Sequence, residues 1–167
     1  MVIGCDVDID IMPVFTGQHE RTIDTKNRVQ LPSQLRAEID AERDGAGLYV
    51  TFGEQRHTLR LFTERSFREL SERMETEFLK GPEARRFERQ FYGLTSHVDV
   101  DKQGRFVLPV RLVRKARLDT DVYLVGQRDY IDIWNRADFD KSIGIDWDGD
   151  DWPEWQGFLR TRPKGSA

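Results

Sequence analysis

The 167-residue sequence lacks several features that define large classes of protein. Its single cysteine, Cys5, excludes an intramolecular disulfide and a metal cage built from cysteines. It contains no run of about 18 apolar residues, which a transmembrane helix needs. Its first residues carry three aspartates and no basic residue, unlike a secretory signal. We therefore expect a soluble, reduced protein of the cytoplasm that has no membrane partner.

The motifs of common enzymes and metal sites are also missing. His19, His57 and His97 have no partners at metal-ligand spacing, and no serine lies in a nucleophile-elbow pattern. The segment 146–151 resembles the start of a calcium loop, but its sixth position is an aspartate where such loops need glycine. There is no glycine-rich phosphate loop. We predict no catalytic residue, no metal ligand and no cofactor.

The net charge of −4 is distributed unevenly along the chain. Residues 1–13 hold three acidic and no basic residues, and residues 137–167 hold seven acidic and four basic ones. The 20 acidic and 22 basic residues between these ends make the middle of the chain mildly basic. Twenty of the 26 basic residues are arginines, whose planar guanidinium suits phosphate groups and guanine edges. This composition permits nucleic-acid binding without requiring it, because arginine also forms surface ion pairs.

A stretch of 15 residues recurs 77 residues later, and this internal repeat is the strongest signal in the sequence. Both copies contain Asp, then Arg four residues on, then Leu-Pro and a further Leu. The matched residues are Asp24, Arg28, Leu31, Pro32 and Leu35 in the first copy, and Asp101, Arg105, Leu108, Pro109 and Leu112 in the second. A second pair of similar segments, 59–67 and 131–139, follows in the same order. The chain is therefore predicted to be a duplicated half of about 50 residues.

Each half shows the pattern of a strand, a tight turn, a second strand, a short helix and a β-hairpin. Pro32 and Pro109 fit the first position of the short helices, which are predicted over 33–39 and 110–116. The hairpins are predicted to pair 48–52 with 59–62, and 122–125 with 130–134. The fold class is therefore α+β and rich in β-strands.

A helical segment separates the two halves. Apolar residues recur at spacings of three and four, which marks one face of a helix, at Phe67, Leu70, Met74 and Phe78. Gly81-Pro82 interrupts this helix, and a second one over 83–92 carries Phe87 and Phe91 on one face. We predict an antiparallel helix pair whose charged outer side forms ion pairs or a contact between subunits.

The repeated Asp and Arg residues flank the predicted turns. The aspartates, Asp24 and Asp101, are expected to shape the turns by accepting hydrogen bonds from backbone N–H groups. Asn27 and Gly104, which precede the arginines, are expected to adopt a positive φ. One interpretation of each motif is thus a turn cap with a local ion pair. A catalytic interpretation would need a nucleophile or a second acid nearby, and the sequence supplies neither.

The third interpretation is binding. Arg28 and Arg105 would lie at exposed turn tips, where a guanidinium reaches a phosphate or a guanine edge. Lys26 and Lys102 beside them would add contacts to phosphates. Capping and binding remain compatible, because the aspartate shapes the turn while the arginine makes the contact.

The first copy of the motif resembles the start of MraZ proteins of bacteria, which share the pattern F-x-G-x6-D-x-K-x-R-x-x-L-P. That pattern runs here from Phe15 to Pro32, and the second copy shares its D-x-x-x-R and Leu-Pro residues from Asp101 to Pro109. The linker segment 85–91 and the closing residues 125–126 and 133–134 fit as well. The resemblance covers about residues 14–140. Asn27 departs from it, since glycine is usual there, although asparagine also tolerates the left-handed region.

The resemblance implies two SpoVT/AbrB-like halves of the swapped-hairpin type. These would be domain 1 at 18–65 and domain 2 at 95–138, joined by a helical linker at 66–94. An acidic extension at 1–14 and an acidic, tryptophan-containing tail at 141–167 would flank them. The resemblance also implies a sequence-specific regulator of transcription in the nucleoid. Its partners would be double-stranded DNA, at direct repeats in its own promoter, and further copies of itself in a ring.

Such proteins are usually repressors, encoded at the head of the division and cell-wall gene cluster, and their D-x-x-x-R arginines face DNA. This places Arg28 and Arg105 at the interface. An alternative function is an oligomeric scaffold or an antitoxin-like module that binds protein through its acidic ends. We expect the tail to tune DNA binding without supporting the fold, unless Trp147, Trp152 and Trp155 pack on the body of the protein.

Overall fold

The computed structural model describes residues 11–77 and 81–153. These residues belong to two compact units, one that ends at Arg136 and one that begins at Ala137. The structure is α+β, with a six-stranded antiparallel sheet, a two-stranded ribbon and six helices among the described residues. None of those helices is long and apolar enough to cross a membrane.

The elements follow the internal repeat. Repeat 1 contains four strands, β1 (Gln18–Thr22), β2 (Arg28–Gln30), β3 (Gly47–Phe52) and β4 (Thr58–Thr63). Repeat 2 contains β5 (Ser96–Asp99), β6 (Arg105–Val107), β7 (Asp121–Gly126) and β8 (Ile131–Asn135). The helices are α1 (Ser33–Ala37), α2 (Ala41–Asp44), α3 (Glu64–Glu77), α4 (Pro82–Leu94), α5 (Val110–Ala116) and α6 (Arg136–Ile143). The predicted order of strand, turn, strand, helix and hairpin is thus confirmed in both repeats.

The two repeats exchange strands within the large sheet, whose order is β1-β7-β8-β4-β3-β5. β1 of repeat 1 pairs with β7 of repeat 2, so that Gln18 lies opposite Val125. In the same way β5 of repeat 2 pairs with β3 of repeat 1. β2 and β6 form the separate antiparallel ribbon, which we call the β2–β6 ribbon. Neither repeat therefore completes its sheet without the other.

Apolar residues of both repeats share one core. Leu31, Leu35 and Leu59 of repeat 1 are buried in the same cluster as Leu108 and Leu112 of repeat 2. This core explains the repeated Leu-Pro motif. The leucine is buried, and the following proline ends the strand and leads into the short helix.

Equivalent positions of the two repeats meet at the centre of two strand pairs. Val29 lies opposite Phe106 in the β2–β6 ribbon, and the two residues occupy the same place in the repeated sequence. Arg60 lies opposite Asp132 between β4 and β8, again at equivalent places. An approximate twofold axis therefore relates the repeats and passes through both pairs.

The Arg60–Asp132 pair is a buried ion pair on this axis. Arg60 Nε donates to Asp132 Oδ1 at 2.7 Å, and Nη2 donates to Oδ2 at 3.2 Å. The guanidinium also lies 3.7 Å from the centre of the Tyr130 ring. The Asp132 side chain is only 9% exposed, and burial raises the pKa of its carboxyl above the ordinary value although Arg60 acts against this.

Several predicted helix boundaries are wrong in an instructive way. The first short helix ends at Ala37, not at residue 39, because the Asp40 side chain accepts hydrogen bonds from the backbone of Glu42 and Arg43 and so starts α2. This second short helix was not predicted from the sequence. Pro32 and Pro109 are N-cap residues, one position before the predicted one. The hairpin strands differ from the predicted ranges by one residue at most of their ends, and the helix over 110–116 is confirmed.

The two linker helices are present and contact the sheet through stacked aromatic rings. Phe67 of α3 stacks on Tyr49 of β3 at 4.3 Å between ring centres and on Phe91 of α4 at 5.9 Å. Phe87 stacks on Phe91 at 5.7 Å but is still 43% exposed. The start of α3 thus meets the end of α4, as an antiparallel pair requires. Phe78, predicted on the apolar face, lies outside the described residues.

The second compact unit is described from Ala137 to residue 153. It contains most of α6 and a following stretch in which Trp147 and Trp152 are exposed. Trp155 lies outside the described residues, as do residues 1–10 of the predicted acidic extension.

Candidate nucleic-acid interface

The β2–β6 ribbon has one buried and one outward face. Side chains alternate between the faces of a strand, so Val29 and Phe106 point into the core together. The register places Arg28 opposite Val107 and Gln30 opposite Arg105. These four side chains lie on the outward face, and Val107 is 52% exposed there. The ribbon therefore brings both repeated arginines to one surface.

The first turn, residues 24–28, is shaped by its aspartate as predicted, and we call it turn 1. Asp24 Oδ1 accepts the backbone N–H groups of Lys26 at 2.9 Å and of Arg28 at 2.8 Å. The Asn27 N–H donates to the Asp24 carbonyl at 2.9 Å, and Asn27 has a φ of 58°. The asparagine thus occupies the left-handed conformation that this tight turn requires.

The second turn, residues 101–105, repeats this geometry, and we call it turn 2. Asp101 Oδ1 accepts the N–H groups of Gln103 and Arg105, both at 2.9 Å. Gly104 donates its N–H to the Asp101 carbonyl at 2.9 Å and has a φ of 80°. The two D-x-x-x-R motifs therefore encode the same turn.

Hydrogen bonds hold the two aspartates in the charged form. The Arg28 backbone N–H and then its side chain lower the pKa of the Asp24 carboxyl below its ordinary value. The Arg105 backbone N–H is the main cause that lowers the pKa of Asp101; desolvation opposes it, and the Arg105 side chain adds to the lowering. Both carboxylates are thus ionised near neutral pH and orient the arginines beside them.

Each arginine is bound to its aspartate through one nitrogen only. Arg28 Nε lies 2.7 Å from Asp24 Oδ2, and Arg105 Nε lies 3.0 Å from Asp101 Oδ2. Among the described residues, no hydrogen bond engages the Nη groups of either arginine. Both side chains are 39% exposed, so each guanidinium is held through Nε and is still partly accessible to solvent.

The two predicted lysines lie on the same turns. Lys26 and Lys102 are both exposed. The Lys26 N–H is bound by Asp24, and the Lys102 carbonyl accepts a hydrogen bond from Arg36 Nη2 at 2.9 Å. These two exposed lysines therefore add positive charge to the turns that carry the two arginines.

Two residues of this surface were not predicted from the sequence. Gln30 and Val107 share the outward face with the arginines because of the register between β2 and β6. Period-two alternation from Arg28 and Arg105 could have indicated both of them. The contact of Arg36 with turn 2 left no signal in the sequence, because it joins residues 66 positions apart.

Two of the three histidines contact protein groups. His97 Nε2 lies 2.8 Å from Glu64 Oε1, and the His97 ring packs edge-on against Tyr49. His19 Nε2 lies 3.1 Å from the Thr16 carbonyl. Within the described ranges, no three His, Cys, Asp or Glu residues are grouped in a way that could hold a metal ion.

Comparison with known proteins assigns the chain to a family. The sequence model of the family described as "MraZ protein, putative antitoxin-like" matches residues 14–90 and 91–144. A transcriptional regulator MraZ of Mycoplasmopsis pulmonis (strain UAB CTIP) is 33% identical over 125 residues, which cover 75% of this chain and 81% of that protein. Proteins of the same name from Legionella pneumophila (strain Corby) and Marinomonas sp. (strain MWYL1) are 32% and 31% identical, over 74% and 77% of this chain and 80% and 85% of those proteins. The resemblance seen in the repeated motifs is thereby confirmed, and this chain belongs to the MraZ family.

Proposed function

We propose that this protein is a sequence-specific regulator of transcription that binds double-stranded DNA through the outward face of the β2–β6 ribbon and the two flanking turns. One observation carries the proposal: two guanidinium groups on one ribbon face are each held through Nε by their own aspartate, and no hydrogen bond within the described part of the chain engages their Nη groups. A two-stranded ribbon fits the major groove of B-DNA, and arginine donates there to guanine O6 and N7.

The rest of the ribbon face suits the same partner. Val107 offers an exposed apolar side chain of the kind that contacts a thymine methyl group. Lys26 and Lys102 add positive charge for phosphates at the ends of the surface. We infer a contact that combines base recognition by the ribbon with backbone contacts by the turns.

We further propose that the repeats are SpoVT/AbrB-like halves at 18–65 and 95–138, joined by the linker at 66–94. The exchange of β1 and β5 between the repeats supports the swapped-hairpin assignment. In this proposal the protein assembles into a homo-oligomeric ring, and α4 supports the assembly because Phe87, Tyr92 and Leu94 are exposed on it. Light scattering at micromolar concentration tests the assembly, and a monomeric mass would exclude it.

The proposed regulatory role is repression of its own promoter, and with it the division and cell-wall gene cluster, by binding direct repeats in the nucleoid. The test is a footprint on the DNA upstream of the gene, with an unrelated duplex of equal length as the control. We expect protection at short direct repeats and an affinity that falls steeply with salt, because phosphate contacts release counterions. Equal affinity for both duplexes would exclude sequence-specific regulation. Absence of binding to either would favour the alternative of a protein-binding scaffold.

A further inference from the structure

Turn 2 is held in place by side chains of the opposite repeat. Arg36 of α1 donates from Nη2 to the Lys102 carbonyl at 2.9 Å, and the Gln30 amide donates to the Gln103 carbonyl. Both acceptors lie between Asp101 and Arg105, in the part of the turn that determines where Arg105 is placed. Repeat 1 therefore braces the turn of repeat 2.

The same two side chains cover Gly104. This glycine is buried, and a β-carbon added to it would lie 3.1 Å from both Arg36 Nη1 and Gln30 Nε2. The space above turn 2 is thus filled by the bracing side chains. At the equivalent place in turn 1, Asn27 has a side chain and is only half-buried.

Within the described ranges, no side chain braces turn 1 in the corresponding way. The residues of repeat 2 that are equivalent to Gln30 and Arg36 are Val107 and Val113, whose hydrocarbon side chains have no donor. The backbone contacts of the two turns are alike: Leu31 N–H donates to the Gly104 carbonyl and Leu108 N–H to the Asn27 carbonyl, both at 2.8 Å. The difference between the turns therefore comes from side chains at two pairs of equivalent positions.

We propose that Gln30 and Arg36 are positioning residues that preorganise turn 2 for DNA, so that Arg105 makes a rigid anchoring contact while Arg28 makes an adaptable one. The inference rests on the proposed function. A contact group that is already ordered loses less conformational entropy on binding, so the same hydrogen bonds yield a higher affinity. The two arginines then differ in their contribution to binding although their own turns are alike.

The first experiment needs no DNA. Hydrogen exchange of backbone amides, measured by NMR on the full chain, compares Gln103 and Gly104 of turn 2 with Lys26 and Asn27 of turn 1. We expect slower exchange in turn 2, and faster exchange there in Arg36→Val, which copies the valine of repeat 2. Val113→Ala, at the equivalent position, is the control and should leave turn 2 unchanged. Unchanged exchange of turn 2 in Arg36→Val would overturn the brace.

The second experiment is a double-mutant cycle with the duplex from upstream of the gene. Arg36→Val should weaken binding about fivefold in the wild-type background, the usual effect of one hydrogen bond. The loss should persist in Arg28→Ala and disappear in Arg105→Ala, because Arg36 acts through Arg105. Adding Arg36→Val to Arg105→Ala should leave the slope of log affinity against log salt concentration unchanged. If Arg36 contacted a phosphate directly, Arg36→Val would lower that slope by about one unit in every background.

The outcomes separate this inference from the proposed function. If the wild-type protein binds no duplex, the proposed function fails, and the DNA role of the brace fails with it, whatever the exchange data show. If the protein binds and the effects of Arg36→Val and Arg105→Ala add fully, the positioning role alone is wrong. The converse variant, Val107→Gln with Val113→Arg, should slow exchange in turn 1, and failure to do so would contradict the assignment of the brace to these two positions.

Discussion

The two repeats of this protein have the same succession of elements but differ where they meet. Both contain an Asp-capped turn with an arginine bound through Nε. Yet Arg60 pairs with Asp132 on the axis between them, and the polar side chains that brace turn 2 are valines at the equivalent positions of repeat 2. In a dimer of two identical halves, Arg60 would face another arginine. Fusing the halves into one chain lets equivalent positions diverge, and here the divergence produces a complementary pair and two unequal turns.

The largest expected effect concerns the ion pair on the axis. Arg60→Ala leaves the buried Asp132 carboxylate without its partner, and we expect a loss of about 3–5 kcal/mol in the free energy of unfolding. Denaturant unfolding measures this loss. The exchanged variant Arg60→Asp with Asp132→Arg should recover much of it, since the pair is restored with its direction reversed. If the exchanged variant is no more stable than Arg60→Ala, the ion pair itself does not stabilise the contact between the two repeats.

The next effect compares the two arginines directly. Arg105→Ala and Arg28→Ala should each weaken binding to the upstream duplex by about tenfold or more, because a bidentate contact to guanine is worth roughly 1–3 kcal/mol. The loss should be larger for Arg105, which lies in the braced turn. Titrations at several salt concentrations measure both affinities and their salt slopes. Wild-type affinity and slope in both variants would show that the motifs are purely structural.

A smaller effect separates the glycine of turn 2 from the asparagine of turn 1. Gly104→Ala should lower stability by about 1–2 kcal/mol, because φ is 80° and the new methyl group would displace Gln30 and Arg36. Asn27→Gly should change stability by less than about 0.5 kcal/mol, since glycine also tolerates its φ of 58°. Thermal unfolding of both variants checks the difference. Equal losses of stability in the two variants would show that the close contacts above Gly104 do not contribute to the effect.

The smallest effect tests what the turns have in common. The pKa of Asp24 and of Asp101 is lower in the folded protein than the ordinary value of 3.8, mainly because of the backbone N–H groups of Arg28 and Arg105. Their contribution to stability is therefore present above that value and is lost as the pH falls through the lowered pKa.

Unfolding measured between about pH 5 and pH 2 should show this loss. Asp24→Asn and Asp101→Asn should each reduce the dependence of stability on pH in that range, and by a similar amount. Asp121→Asn, at an exposed position, is the control and should change this dependence less. A reduction in only one of the two variants would contradict the common cap.

The sequence was sufficient for features that depend on near neighbours. Asp24 and Asn27 lie in one turn, so residue type and spacing predict its shape, and the repeat transfers the prediction to Asp101 and Gly104. The strand exchange could not be predicted from the residues. β1 and β7 are distant in the sequence, and their alternation of apolar and polar residues does not distinguish them from the other strands. The helix α2 was missed although Asp40 is a typical cap, because four residues are too few to show a period.

The site was predicted in part for the same reason. Arg28, Arg105 and the lysines follow from the motif, whereas the contact of each arginine with its aspartate through Nε is seen only in three dimensions. Gln30 and Arg36 act on a turn of the other repeat, and only the three-dimensional arrangement shows which segment lies beside them.

The exchange of strands between the repeats also has a consequence for synthesis of the chain. Gln18 finds its partner at Val125, about a hundred residues later, so β1 stays unpaired until most of the protein has left the ribosome. Pairing between such distant segments has a high entropic cost of loop closure and slows folding. A nascent chain that stops before β7 has no strand to pair with β1, and it cannot complete the sheet. Completion of the sheet is thus tied to the synthesis of β7.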